Sequence, residues 1–131
     1  MQCSDDLARH DLRCLIIDDS AAFRSAASKI LERDGIHVVG TATNTAEALD
    51  GNARLHPDVV LIDIDLGAES GFDVARLLHR CAPPVPALIM VSTHSEHDFA
   101  DLIEASPARG FLPKIAFSAA AVRTLVAQCD A

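Results

Sequence analysis

Hydrophobic residues in this chain fall into short apolar runs, which alternate with longer segments where apolar positions recur every three or four residues. Short runs rich in β-branched residues are typical of strands buried on both faces of a sheet, and the periodic segments are typical of helices. The predicted strands are 13–17, 36–42, 58–63, 86–92 and 109–113. The predicted helices are 20–34, 45–55, 72–80, 96–105 and a last one after Ser118. This order predicts one α/β domain, a parallel five-stranded sheet with helices on both faces.

Residues suited to helix ends and turns occur at the predicted boundaries. Ser20, Ser95 and Ser118 can each accept a hydrogen bond from the first turn of a following helix. Gly35 is predicted to end the first helix. Residues 65–71 are rich in turn formers and are predicted to form a loop.

Acidic side chains occur where two of the predicted strands end. Asp18 and Asp19 follow the first strand, and Asp63 ends the third. The carboxyl ends of parallel strands share one edge of the sheet, where open α/β sheets bind ligands. Three carboxylates at one place repel each other unless a cation or a shared proton offsets the charge. Since Mg²⁺ takes oxygen ligands and often accompanies phosphate groups, the pattern predicts a magnesium site and phosphoryl chemistry.

Two further polar residues are predicted at the same edge. Ser92 ends the fourth strand, and Lys114 follows the fifth. A hydroxyl and an ammonium group are suited to binding the oxygens of a phosphoryl group. We therefore expect both side chains to lie beside the three carboxylates.

The composition limits the classes of function. The 131 residues carry a formal net charge of −8 and no cluster of Lys and Arg, which argues against direct binding to nucleic acid or to an anionic membrane. No apolar run has the length of a membrane span, and we expect a cytoplasmic protein. The cysteines lack CxxC spacing and are expected to be free thiols. We expect residues 1–11 to be a flexible segment and residues 12–131 to form the domain.

Four segments together resemble the receiver domains of response regulators in two-component signalling. They are LIIDDS at 15–20, VVLIDIDLGAESGFDV at 59–74, ALIMVS at 87–92 and GFLPK at 110–114. The resemblance extends from about Leu12 to Cys129. It implies a flavodoxin-like fold with the strand order 2-1-3-4-5.

The resemblance also implies a role for each polar residue at the sheet edge. The implied roles are Asp63 as phosphoacceptor, Asp18, Asp19, Asp63 and the backbone carbonyl of Asp65 as magnesium ligands, Lys114 and Ser92 as contacts of the phosphoryl oxygens, and Ser92 with Phe111 as the conformational switch. A carboxylate accepts a phosphoryl group as an acyl phosphate, and Mg²⁺ neutralises the charge on the group in transfer. In this family the hydroxyl then moves toward the phosphate and the aromatic ring turns inward.

The implied function is that of a phosphorelay receiver rather than an enzyme. Such a domain accepts a phosphoryl group from a histidine kinase or a phosphotransfer protein, and it switches a surface read by an output partner or an effector domain, in some cases one that regulates transcription. The resemblance also implies a homodimer through the face formed by the helix at 96–105, the strand at 109–113 and the last helix. Gly67 and Ile115 stand where proline is common in the family.

Other functions remain compatible with parts of the sequence. A pseudo-receiver would bind partners without being phosphorylated, but it would have no chemical need for all five polar groups. The segment 63–67 (DIDLG) also resembles the DxDx motif of haloacid-dehalogenase-type phosphatases, although in that family the nucleophile strand normally comes first. His94 and His97 have helical spacing without an evident third metal ligand. We expect His94, close after Ser92, to affect the lifetime of a phosphoryl group.

Overall fold

A computed structural model describes residues 12–128 of the protein and contains five parallel strands in one sheet. The strands are β1 (Arg13–Ile17), β2 (His37–Ala42), β3 (Val59–Asp63), β4 (Ala87–Ser92) and β5 (Gly110–Pro113). Their order across the sheet is β2-β1-β3-β4-β5, and all neighbours are parallel. This arrangement confirms the flavodoxin-like fold. The segment 1–11, expected to be flexible, lies outside the described residues.

Five α-helices connect and follow the strands. They are α1 (Ala21–Arg33), α2 (Thr45–Leu55), α3 (Gly71–His79), α4 (Ala100–Ala105) and α5 (Ala119–Ala127). Ser20 and Ser118 cap α1 and α5 as predicted, because their hydroxyl oxygens accept hydrogen bonds from N–H groups in the first turns. Gly35 has a φ of 86° and follows the end of α1, as its freedom at positive φ predicts. Within residues 12–128, none of the helices has the length and apolar character of a membrane span.

The sheet is buried on both faces because successive strand residues point to opposite sides. Cys14 and Ile16 of β1 lie in the core beneath α1 and α5. Leu15 and Ile17 lie in the core beneath α2 and α3. Complete burial raises the pKa of the Cys14 thiol, so this free cysteine is an inert part of the core. With both faces covered, polar side chains from the sheet can gather only at the strand ends.

The segment 65–71 differs from its prediction as a loop. It contains a small antiparallel hairpin, in which Asp65–Leu66 pairs with Glu69–Ser70. Gly67 lies at the turn with a φ of 74°, a conformation that favours glycine. Strands of two residues are too short to produce an alternating pattern of apolar and polar residues, so no pattern in the sequence indicates them.

The prediction of a single helix over 96–105 is also wrong. The segment forms a 3₁₀ turn (Glu96–Phe99) followed by the short helix α4. Ser95 makes no side-chain capping hydrogen bond, contrary to the prediction. None of the residues of α4 is buried, so little packing supports a longer helix here.

Candidate functional site

The first two aspartates lie in the turn between β1 and α1, and several hydrogen bonds fix this turn. Asp18 extends the sheet by one residue, since its N–H donates to the carbonyl of Ala42 at 2.9 Å. Its Oδ1 accepts a hydrogen bond of 2.8 Å from the N–H of Ser20. The guanidinium of Arg24 donates to the carbonyl oxygen of Asp18 at 2.7 Å. The Asp18 carboxylate is therefore held at the carboxyl edge of β1.

The three predicted acids come together at this edge. Asp18, Asp19 and Asp63 each place one carboxylate oxygen within 4.8 Å of the others. Asp18 and Asp63 are buried, with 1% and 6% of their surface exposed, whereas Asp19 is exposed. Among residues 12–128 this is the group of three acidic, histidine or cysteine residues whose spacing suits a metal ion. We call these three residues the aspartate cluster.

Lys114 enters the same site from the end of β5. Its Nζ lies 2.8 Å from Oδ2 of Asp18 and 3.6 Å from Oδ2 of Asp63. The first contact is a close ion pair, and the buried Oδ2 of Asp18 has no partner other than this ammonium group within the described part of the chain. One ammonium group beside Asp18 and Asp63 cannot neutralise three carboxylates. A divalent cation with oxygen ligands would offset the remaining negative charge.

The position of Asp63 makes its carboxylate unusually basic. Burial raises the pKa of Asp63 to about 6, and the negative charge of Asp18 adds to the effect. Lys114 and the N–H of Asp65, which donates to Oδ1 of Asp63 at 3.3 Å, oppose this shift. The ionised form is thus disfavoured in the folded protein without a bound cation.

Asp63→Asn should stabilise the protein in buffer without divalent ions. Folding raises the pKa of Asp63 from 3.8 to about 6. The free energy of unfolding of the wild type should therefore fall as the pH rises from about 4 to about 6, and it should stay lower above that range. At pH 7 we expect the free energy of unfolding of the variant to be higher by about 1–2 kcal/mol, after allowing for solvent screening. Urea denaturation at several pH values measures this. A variant no more stable than wild type at pH 7 would contradict the expectation.

Ser92 lies at the end of β4, buried beside the strand that carries Asp63. Its Oγ accepts a hydrogen bond of 3.0 Å from the N–H of His94, so its hydroxyl proton remains available to a ligand. Asp63 pairs with Val91 across the two strands. The structure therefore places Ser92 at the edge where the sequence predicted it.

Phe111 lies within β5 and is buried, with 8% of its surface exposed. It belongs to the core on the same face of the sheet as α2 and α3, against which Phe99 and Ile103 also pack, and it pairs with Met90 of β4. Its ring is thus in an inward position in this structure.

Asp65 lies in the hairpin beside the aspartate cluster, and its side chain is turned to the loop. Its Oδ1 accepts a hydrogen bond of 3.2 Å from the N–H of Gly67. The hairpin is tied to α2 by Glu69, whose Oε1 accepts bonds of 2.7 Å from both the N–H and the hydroxyl of Thr45. These bonds lower the pKa of Glu69. The sequence did not predict this tie, because it joins residues far apart in the chain.

Two residues of α1, Phe23 and Arg24, also reach the site, although no sequence pattern indicated a role for them. Besides Arg24, which holds the Asp18 backbone, the ring of Phe23 lies beneath Lys114, with Nζ 4.4 Å from its centroid. The available signal was that α1 begins directly after the two aspartates, so its first turns must adjoin them. An arginine in a helix is usually assigned to the solvent-facing side, and a phenylalanine to the side that packs on the protein core.

The two histidines after Ser92 do not come together with the aspartate cluster. The ring of His94 packs edge-on against Phe99, with centroids 5.9 Å apart. His97 is exposed on the 3₁₀ turn. A separate recess of about 580 Å³ lies at the opposite edge of the sheet, lined by the prolines at 83–86 and by Arg109. It contains none of the predicted site residues.

Comparisons with known proteins agree with the geometry. A family model described as the response regulator receiver domain matches residues 14–126. A protein-glutamate methylesterase/protein-glutamine glutaminase of Pseudomonas fluorescens is 37% identical over 105 residues, covering 79% of this chain and 28% of that protein. A protein of the same description from Archaeoglobus fulgidus is 36% identical over 85 residues, covering 65% of this chain and 24% of that protein. The chain therefore spans less than a third of the length of these relatives.

Solved structures give the same fold. A response regulator of Burkholderia pseudomallei, determined with a phosphorylated aspartic acid, a calcium ion and citrate, has a TM-score of 0.76 and 25% identity, covering 88% of this chain and 66% of that one. The receiver domain of the putative response regulator NarL of Mycobacterium tuberculosis has a TM-score of 0.73 and 26% identity, covering 90% of this chain and 91% of that one.

Proposed function

Because this chain belongs to the response regulator receiver family of two-component signalling, we propose that it accepts a phosphoryl group on Asp63. The observation that carries the proposal is the aspartate cluster with Lys114 beside it, at the ligand-binding edge of the sheet. A buried carboxylate with a raised pKa is a basic nucleophile, and the neighbouring ammonium group can receive an anionic donor.

We propose that the aspartate cluster and the backbone carbonyl of Asp65 hold Mg²⁺. The excess of negative charge in the aspartate cluster, which a single ammonium group does not offset, supports this assignment. When bound, Mg²⁺ neutralises the charge on the phosphoryl group in transfer. The hairpin that carries Asp65 is held by Glu69, so the loop is prearranged beside the three side chains.

In the proposed reaction, a carboxylate oxygen of Asp63 forms a bond to the phosphorus atom of the donor. The bond from phosphorus to the donor's nitrogen or oxygen breaks, and its electron pair leaves with the donor. Lys114 then binds one oxygen of the transferred group, and the hydroxyl of Ser92 donates its free proton to another. The product is an aspartyl phosphate.

We propose that Ser92 and Phe111 carry the signal from the site to a partner surface. Ser92 lies at the end of β4, and Phe111 lies in the neighbouring strand β5. The surface would be the face formed by α4, β5 and α5, where Leu102 is a half-exposed apolar residue. An output partner, an effector domain or a second copy of the chain would bind there.

The proposed phosphodonor is a histidine kinase or a phosphotransfer protein. The proposed location is the cytoplasm, where kinases have access to ATP as the source of the phosphoryl group. The chain itself would act as a phosphoacceptor and not as an enzyme with an external substrate. The methylesterase and glutaminase named for its relatives would require parts of those proteins that this chain does not span.

Intact-mass measurement after incubation with Mg²⁺ and acetyl phosphate tests the proposed function. We expect one phosphoryl adduct on the wild type, and none after addition of EDTA or with Asp63→Asn. Asp73→Asn, an exposed carboxylate on α3, is the matched control and should keep the adduct. A folded wild type without an adduct would favour a pseudo-receiver. Steady turnover of phosphate monoesters would favour the haloacid-dehalogenase-type phosphatase.

His94→Ala should shorten the lifetime of the aspartyl phosphate. The N–H of His94 donates to the Ser92 hydroxyl, and its exposed ring packs against Phe99. We propose that the ring shields the phosphoryl group bound beside Ser92 from water. We expect hydrolysis to become faster by about two- to fivefold, a loss of shielding worth less than about 1 kcal/mol. Phosphate release from the isolated phosphoprotein measures the rate, with the exposed His97→Ala as control. An unchanged rate in His94→Ala would rule out this role.

A further inference from the structure

The side chain of Lys114 lies between the aspartate cluster and an aromatic ring. Its Nζ contacts carboxylates of Asp18 and Asp63 on one side. On the other side it lies 4.4 Å above the centroid of the Phe23 ring. Only 15% of the lysine side chain is exposed, so this contact is partly shielded from water, where cation–π attraction is stronger.

Phe23 is held at both its backbone and its ring. Its N–H donates to the hydroxyl of Ser20, the N-cap of α1, at 3.2 Å. Its ring meets that of Phe117 edge-to-face, with centroids 5.4 Å apart and an angle of 76° between the planes. Phe117 follows Lys114 by three residues, and its N–H donates to the carbonyl of Lys114. The ring is therefore anchored to the same short segment that carries the lysine.

We propose that Phe23 is a positioning residue, whose aromatic face holds the ammonium group of Lys114 in place to receive the phosphoryl group. This inference rests on the role proposed for Lys114. A lysine side chain has four flexible bonds and loses considerable rotational freedom when it is fixed. The ring attracts the cation without offering a hydrogen-bond acceptor, so the three N–H donors stay free for oxygen atoms.

Stepwise fluorination of the ring is the direct test, because it weakens the negative face of the ring with little change of shape. Phe23 is replaced by its 4-fluoro, 3,5-difluoro and 3,4,5-trifluoro analogues, and adduct formation with acetyl phosphate is followed at saturating Mg²⁺. We expect the rate to fall with each step, by about 3- to 10-fold in total. The same series at Phe72, buried on the opposite face of the sheet, is the matched control and should leave the rate unchanged.

Ordinary substitutions give a second readout. Phe23→Tyr keeps an aromatic face and should keep the rate, whereas Phe23→Leu keeps the apolar volume and should slow it about as much as trifluorination. Mg²⁺ affinity should change little in either variant, because Phe23 contacts the lysine rather than the aspartates. Equal rates for all Phe23 variants, or an equal fall in the Phe72 series, would overturn the proposal.

Failure of the proposed function is distinguishable from failure of this inference. If the wild type forms no adduct, the ¹⁹F chemical shift of 4-fluoro-Phe23 still reports the contact, and it should change in Lys114→Met and stay constant in Lys29→Met. Lys29 is the other lysine of the chain and is exposed on α1. An unchanged ¹⁹F chemical shift in Lys114→Met would show that the ring does not hold the ammonium group.

Discussion

Gly71→Ala should destabilise the protein by about 3 kcal/mol or more. Gly71 begins α3 directly after the hairpin, and its N–H donates to the carbonyl of Ile64. A Cβ atom at this position would lie 2.1 Å from the carbonyl oxygen of Asp63 and 2.9 Å from two further backbone atoms. Because these atoms belong to the backbone, no rotation of a side chain can relieve the clash, and overpacking of this kind is costly.

Gly71→Ala should also displace groups at the functional site. Relief of the clash requires α3 or the end of β3 to move, and Asp63 is the last residue of β3. Urea denaturation followed by circular dichroism measures the stability. Gly51→Ala is the matched control, since its Cβ would meet only the side chain of Leu15, at 3.3 Å. We expect the control to lie within about 1 kcal/mol of wild type. Wild-type stability of Gly71→Ala would show that the backbone has room here.

Lys114→Met should slow phosphorylation by acetyl phosphate at least about 100-fold. Methionine has a similar length and volume, so the change removes mainly the charge. The ammonium group faces both Asp18 and Asp63, and it can bind an oxygen of the incoming phosphoryl group. Removal of one such preorganised donor typically costs a factor of about 10² to 10³ in rate. Intact-mass time courses at saturating Mg²⁺ measure the effect.

Lys29→Met removes the same charge from an exposed position of α1 and should keep the wild-type rate. Comparing the two lysine variants separates local chemistry from the change in net charge. A rate for Lys114→Met within a few-fold of the control would remove Lys114 from the proposed mechanism.

The sheet and the aspartate cluster could be predicted from the sequence because they depend on local signals. Runs such as 13–17 and 58–63 are apolar enough to require burial on both faces, and the parallel order then brings Asp18 and Asp63 to one edge. Ser92 and Lys114 follow from the same rule. Each of these residues is located by the strand that precedes it.

The remaining features depend on contacts that no local pattern records. The contact of Phe23 with Lys114 joins the first turn of α1 to the end of β5, and the bond of Glu69 to Thr45 joins the hairpin to α2. The helix predicted at 96–105 had suitable polar residues but no buried face, and only the three-dimensional packing reveals that. Propensity alone is a weak guide where packing is absent.

The hydrogen bond from the His94 N–H to the Ser92 hydroxyl can stabilise the unswitched position of Ser92 only by the energy of one hydrogen bond. If Ser92 moves toward a phosphoryl group and this bond breaks, the exchange involves about 1 kcal/mol. Such an energy changes the ratio of two conformers by only about fivefold, whereas nearly complete conversion needs about 5 kcal/mol. Most of the bias between conformers must then come from the new contacts of the phosphoryl oxygens.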